Sequence, residues 1–160
     1  MNATWVYRAL TGVVGGLTFG VVNVLTFGLF SGSRPGQTGL LFDPSTQSAK
    51  VIAVWKQIQP LPVLVTQPWI ITFGLVLLGI IYAWIYASVE KAWPRKARTH
   101  VWRLTAITFV APVFFEMMGP FNLLHEPSHL QLIELAFWIV ACFAQSLVIV
   151  MMHRRKVPRS

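Results

Sequence analysis

Three of the five acidic residues and two of the four histidines fall between Glu116 and Glu134. Carboxylates and imidazoles gathered in so short a stretch can share a proton or hold a metal ion. With Glu116, His125, His129 and Glu134 as ligands the set would suit Zn, Fe or Cu. The run His125-Glu126-Pro127-Ser128-His129 also satisfies H-E-x-x-H, the pattern in which a helix presents two His ligands one turn apart with the Glu as base. Pro127 works against that match. It lacks an amide hydrogen and clashes with a preceding helical turn, so it belongs at the first position of a helix, and His125 then precedes the helix on a different face from His129. Glu126 would sit at the helix N-terminus, where the macrodipole favours negative charge. No Ser-His-Asp order, phosphate loop or nucleotide fingerprint accompanies the cluster. No catalytic residue is assigned, and the balance of the sequence is against an enzyme.

The blandest reading of Glu116 and Glu134 is structural: they stay protonated, or pair with Arg34, Lys50 or Lys56, and fix helix register. His100 and His153 stand among basic residues and are expected to meet solvent or lipid headgroups. No His lies near the middle of an apolar run, which weakens a deeply held haem. Cys142, the single cysteine, permits neither a disulfide nor a Cys-based metal cluster within the chain.

The elements that must position the cluster are helices in a membrane. Of the 160 residues, 55% are hydrophobic and 11% charged, against roughly a quarter charged in an ordinary soluble domain. Four apolar stretches, about 9–30, 69–89, 101–118 and 130–152, reach the ~20 residues a helix needs to cross a bilayer. The first is too long for the hydrophobic region of a cleaved signal and has no A-x-A site after it, so it reads as a retained span. The whole chain, 1–160, reads as one all-α integral membrane domain built as a four-transmembrane-helix bundle.

The net charge of +8 would suggest nucleic acid in a soluble protein, but its placement argues for topology instead. Arg8, Lys91, Arg95, Lys96, Arg98, Arg103, Arg154, Arg155, Lys156 and Arg159 flank one side of the spans. Arg34, Lys50 and Lys56 lie on the other. Positive charge is retained in the cytoplasm, so both termini are expected there, with anionic lipid as the partner of the basic face. A bacterial inner membrane is the expected location. Trp5, Tyr7, Trp93 and Trp102 near one interface, and Trp55 and Trp69 near the other, resemble aromatic anchors.

The first outer loop, 31–67, is long enough to need structure of its own. Asp43 followed by Pro44 reads as an N-cap and first helical residue. Val51, Ile52, Val54, Trp55 and Ile58 favour one side while Gln47, Lys50, Lys56 and Gln57 favour the other. The pattern predicts a short amphipathic helix on the outer membrane surface, ended by Pro60 and Pro62.

Helices in lipid meet through small and polar residues. Gly12, Gly16, Gly20 and Asn23 make such a stripe on the first span, and Gly79, Ala83 and Ala87 on the second. Thr105, Thr108, Pro112 and Glu116 follow on the third, and Gln131, Glu134, Trp138, Ala141 and Gln145 on the fourth. These stripes can form the interior seam, or the glycine face can dock another chain. The expected function is a non-catalytic membrane subunit that packs against other subunits of a larger assembly, conceivably for electron transfer or transport. A metal-dependent membrane protein or enzyme using the Glu/His cluster is the alternative, and a small proton-coupled carrier the third reading.

Overall fold

A computed structural model describes residues 3–30 and 39–156. Arg34 and Arg159, named above among the charges, lie outside the described residues. All regular structure within them is helical. Helix α1 spans Ala3–Asn23 and runs on through a wider π-helical stretch, Val24–Phe30. Two short helices follow in the loop, α2 at Ala49–Lys56 and α3 at Val63–Thr66. Then come α4 at Pro68–Val89, α5 at Ala97–Glu116, extended by a π-helical turn Met117–Phe121, and α6 at Ser128–Lys156. Four of these helices are long and apolar enough to cross a membrane: Trp5–Gly28, Pro68–Ala92, Ala97–Phe121 and Ser128–Arg155.

Helix α1 lies between α4 and α6, and α6 lies between α1 and α5. In this row, α4–α1–α6–α5, the closeness of α1 to α4 follows from side-chain size. At the α1–α4 contact a Cβ on Gly12 would collide with the backbone of Ile80, one on Gly16 with the Leu75 carbonyl, and one on Gly79 with the backbone of Gly12 and Gly16. Bare backbone on both helices allows the close approach that gives van der Waals packing where lipid removes the hydrophobic drive. Gly20 sits at the looser end of the seam, 3.4 Å in the same sense from Leu75 Cδ1. Ala83 is buried, and Asn23 turns its amide to the Phe19 carbonyl of its own helix at 3.2 Å. This glycine face is thus covered by α4 within the chain.

The end carrying Arg8, the 93–96 link and the end of α6 is the basic end. Ala83 and Tyr86 from α4, Val101 and Leu104 from α5, and Ile149 and Val150 from α6 form one buried cluster there. The Tyr7 hydroxyl donates to the Met152 carbonyl at 2.5 Å, and Arg154 donates to the Arg95 carbonyl. His100 and His153 are 4% and 5% exposed, contrary to the expectation that they meet solvent or headgroups. His100 Nε2 lies 2.7 Å from the Pro94 carbonyl, which can only accept, so Nδ1 is the acceptor of the Tyr86 hydroxyl at 2.8 Å. His153 Nε2 meets Glu90 Oε1 at 2.9 Å. The neighbouring Arg and Lys obscured a helical register that was readable: His100 precedes the buried Leu104 by one turn, and His153 follows the buried Ile149 and Val150.

The loop differs from the sequence expectation at its start. Asp43 does not begin a helix. Its Oδ1 accepts the Ser45 amide at 2.8 Å and the Ser45 hydroxyl at 2.7 Å, and its carbonyl accepts the Gln47 amide at 2.8 Å, closing a turn. The helix begins only after Ser48, whose hydroxyl accepts the Lys50 amide at 3.2 Å as an N-cap. Val51 is buried, Ile52, Val54 and Trp55 are half-buried, and Lys50 and Lys56 are exposed. Gln47, assigned above to the polar side, is buried. Lys56 Nζ lies 4.9 Å from the centre of the Phe42 ring.

Candidate functional site

The site is built at the end opposite the basic one, where α5 gives way to α6. The π-helical turn Met117–Phe121 closes α5, with the Leu123 amide donating to the Gly119 carbonyl at 2.9 Å. His125 then takes a left-handed φ of 53°, which is uncommon for a side-chain-bearing residue. The following amide, of Glu126, reaches back to the Pro120 carbonyl at 3.0 Å. The reversal leaves His125 exposed and Glu126 buried. Pro127 accepts the Leu130 and Gln131 amides at 3.0 and 3.1 Å. It is therefore the N-cap of α6, one place earlier than expected, with Ser128 as the first helical residue. Its missing amide hydrogen costs nothing there.

Three carboxylates converge beneath this turn. One oxygen each from Glu116, Glu126 and Glu134 lies within 4.8 Å of the others. Glu116, at the end of α5, is 1% exposed and accepts the Trp138 indole N–H on Oε1 at 2.6 Å. Trp138 is held in turn by the rings of Phe19 of α1 and Phe27 of the π-helical stretch that continues it, with centres 5.8 and 5.0 Å away. Glu126 is 4% exposed and accepts the Gln47 amide on Oε1 at 2.6 Å. Its burial raises its pKa above the usual carboxylate range, and the Gln47 hydrogen bond partly offsets this. The second oxygen of Glu126 is buried without a hydrogen-bond partner, while the carboxyls of Glu116 and Glu134 are close enough to share a hydrogen bond. Glu134, one turn and a half into α6, is half-buried.

Loop 1 closes over the cluster. Gln47 Nε2 also donates to the Leu41 carbonyl at 3.1 Å, and Gln47 Oε1 accepts the Ser48 amide at 2.7 Å. The Ser48 hydroxyl donates to the Leu124 carbonyl at 2.6 Å. Leu41 and Val51 are buried beside these contacts. The polar groups of the flap are thus satisfied where they leave water, which a buried amide requires.

Of the four ligand candidates read from the sequence, the structure brings Glu116 and Glu134 together and leaves His125 and His129 exposed, outside the group of three. Glu126 takes their place. The sequence places it as the base of a disfavoured H-E-x-x-H match and at the helix dipole, not as a ligand, and assigns Gln47 to a solvated helix face. No local pattern marks Glu126 for burial, because its inward turn depends on the left-handed backbone of His125. Lys50 is exposed, and the charged groups that act on Glu116 and Glu134 among the described residues are the other carboxylates of the cluster.

Directly below the cluster lies an apolar group. Phe19, Ala141 and Cys142 are buried together, with Val22, Leu75, Phe109 and Trp138 around them. Thr11, Gln145 and Ser146 lie further toward the basic end, each with a buried oxygen that has no partner. Compared with known protein families, curated proteins and solved structures, the chain matches none.

Proposed function

We propose that this chain is a non-catalytic polytopic subunit that packs against other subunits of a larger membrane assembly, of an electron-transfer or transport kind, and stabilises or assembles it. The observation that carries the reading is the position of α4 at the edge of the row. Its most apolar stretch is 17% buried, against 33% for α6. Trp69, Phe73, Leu77, Leu78 and Ile81 are exposed along it, and Ile80, Ile81, Trp84, Ile85, Ser88 and Val89 line an open groove. Ser88 turns its hydroxyl to the Trp84 carbonyl at 3.0 Å, so the groove presents no unsatisfied polar group from it. A ridged, rigid surface of this kind gains more from a fitted helix than from fluid lipid tails.

In this reading the basic end is cytoplasmic and the acidic end lies outside a bacterial inner membrane. The basic residues Arg8, Lys91, Arg95, Lys96, Arg98 and Arg103 at one end support that orientation and a contact with anionic lipid. Helix α2 then lies at the outer surface with its lysines toward water. Isolation from native membranes in mild detergent tests the function. A photo-crosslinker at Ile81 or Ile85 is expected to capture one defined protein. A chain that leaves the membrane as a monodisperse monomer, with no crosslink at either position, removes the reading.

A further inference from the structure

The geometry points to a binding site for a hard divalent cation, of the Ca2+ or Mn2+ class, held by Glu116, Glu126 and Glu134 beneath the loop 1 flap. This goes beyond a subunit role and stands independently of it.

Two observations meet here. The first is the convergence of three carboxylate oxygens within 4.8 Å on residues from the end of α5, the turn and the start of α6. The second is that Glu116 and Glu126 each have one oxygen fixed by a neutral donor, from Trp138 and from Gln47, and that the other oxygen of Glu126 is buried with no partner. Those donors orient the carboxylates as outer partners orient metal ligands. A buried acceptor left without a donor is an exception that a bound ion resolves.

The donor set selects the ion. Three carboxylates without imidazole or thiolate suit Mg2+, Ca2+ or Mn2+ more than Zn2+ or Cu2+. Size then separates the first of these. A Ca2+ ion with oxygens at about 2.3–2.6 Å spans ligands up to about 5 Å apart, which covers the whole spacing here. Mg2+, at about 2.0–2.1 Å, would draw the carboxylates inward from the wider end of that spacing and resists losing its water. Loop 1 covers the turn side, and the Phe19, Ala141 and Cys142 cluster closes the membrane side.

The full chain, purified in detergent and stripped with a chelator, tests this by titration with CaCl2 and MnCl2 and by electron paramagnetic resonance of bound Mn2+. One ion per chain is expected, with oxygen-only ligands and a rise in unfolding temperature on ion addition. Glu116→Gln and Glu134→Gln each weaken binding by at least about 10-fold, the loss given even by removing an outer partner of a ligand. His125→Ala combined with His129→Ala leaves affinity unchanged. The proposal is overturned if the unaltered chain binds neither ion and its unfolding temperature does not respond. Nitrogen coupling in the Mn2+ signal, or full affinity in Glu116→Gln, also overturns it. The ion-dependent unfolding of the unaltered chain decides the matter even if the variants fail to fold.

Discussion

The Gln47 side-chain amide and Glu126 Oε1, 79 positions apart in the chain, lie 2.6 Å apart and are both buried. Together with the Ser48 hydroxyl, which donates to the Leu124 carbonyl, this hydrogen bond joins loop 1 to the turn between α5 and α6. It explains how a polar segment with a glutamine at its centre can leave water: Nε2 serves both Glu126 and the Leu41 carbonyl, and Oε1 takes the Ser48 amide. The flap and the carboxylate cluster are therefore one structure.

Gln47→Ala removes the donor and leaves the Glu126 carboxyl buried without it. A loss of about 1–3 kcal/mol in stability is expected, the cost of orphaning a buried polar group. Thermal unfolding in detergent measures the loss, and trypsin cleavage at Lys50 and Lys56 reports whether the flap has lifted. Unchanged unfolding with unchanged cleavage would show that the flap is held by the Ser48–Leu124 hydrogen bond and by the burial of Leu41 and Val51, without Gln47.

The α1–α4 seam makes a sharper prediction because it carries its own control. Gly79→Ala and Gly12→Ala each place a methyl against the backbone of the facing helix, where no rotamer change can yield, whereas a Cβ on Gly74 meets nothing within 4 Å. The seam variants are expected to lose about 1–3 kcal/mol or more by overpacking. Gly74→Ala should fold as the parent chain does. Equal stability of Gly79→Ala and Gly74→Ala in a denaturant series would mean that the two helices do not approach as described.

At the basic end, Tyr86→Phe leaves His100 Nδ1 buried without its donor. A destabilisation of about 1–3 kcal/mol is expected. Tyr86→Phe and His100→Phe together should cost less than the sum of the two single changes, since neither partner is then left orphaned. Strict additivity in that double-mutant cycle would show that the two side chains do not interact.

The spans and the pairing of Glu116 with Glu134 were legible because both are written locally. A run of apolar residues declares a membrane helix by length alone, and two carboxylates placed symmetrically about a short turn come to the same depth. Glu126 and Gln47 were not legible for the opposite reason. Their positions depend on a left-handed His125 and on a contact between segments far apart in sequence. Periodicity places Gln47 with the lysines of α2. The Asp43 turn delays that helix by several residues and sends Gln47 inward instead. His100 and His153 were misplaced because their charged neighbours outweighed a register set by Leu104 and Ile149.

The Asp43 turn carries a pH dependence of its own. The Ser45 hydroxyl and amide both donate to the Asp43 carboxylate and hold its pKa below the ordinary 3.8. These bonds favour the charged form, so the folded-state pKa lies below the unfolded one. The stability they contribute is then fully present above the unfolded value and is lost as pH falls through the lowered one. Because the turn aims Gln47 at Glu126, its loss should loosen the flap. Amide exchange at Ser45 and Gln47 is expected to stay slow, after correction for intrinsic rate, until the pH drops below about 3.8, and then to rise. Asp43→Asn keeps an acceptor at the same place but does not titrate, so its corrected exchange should show no acid transition. The same transition in Asp43→Asn as in the parent chain would assign the acid response to another carboxyl group and remove Asp43 as the residue that sets the flap.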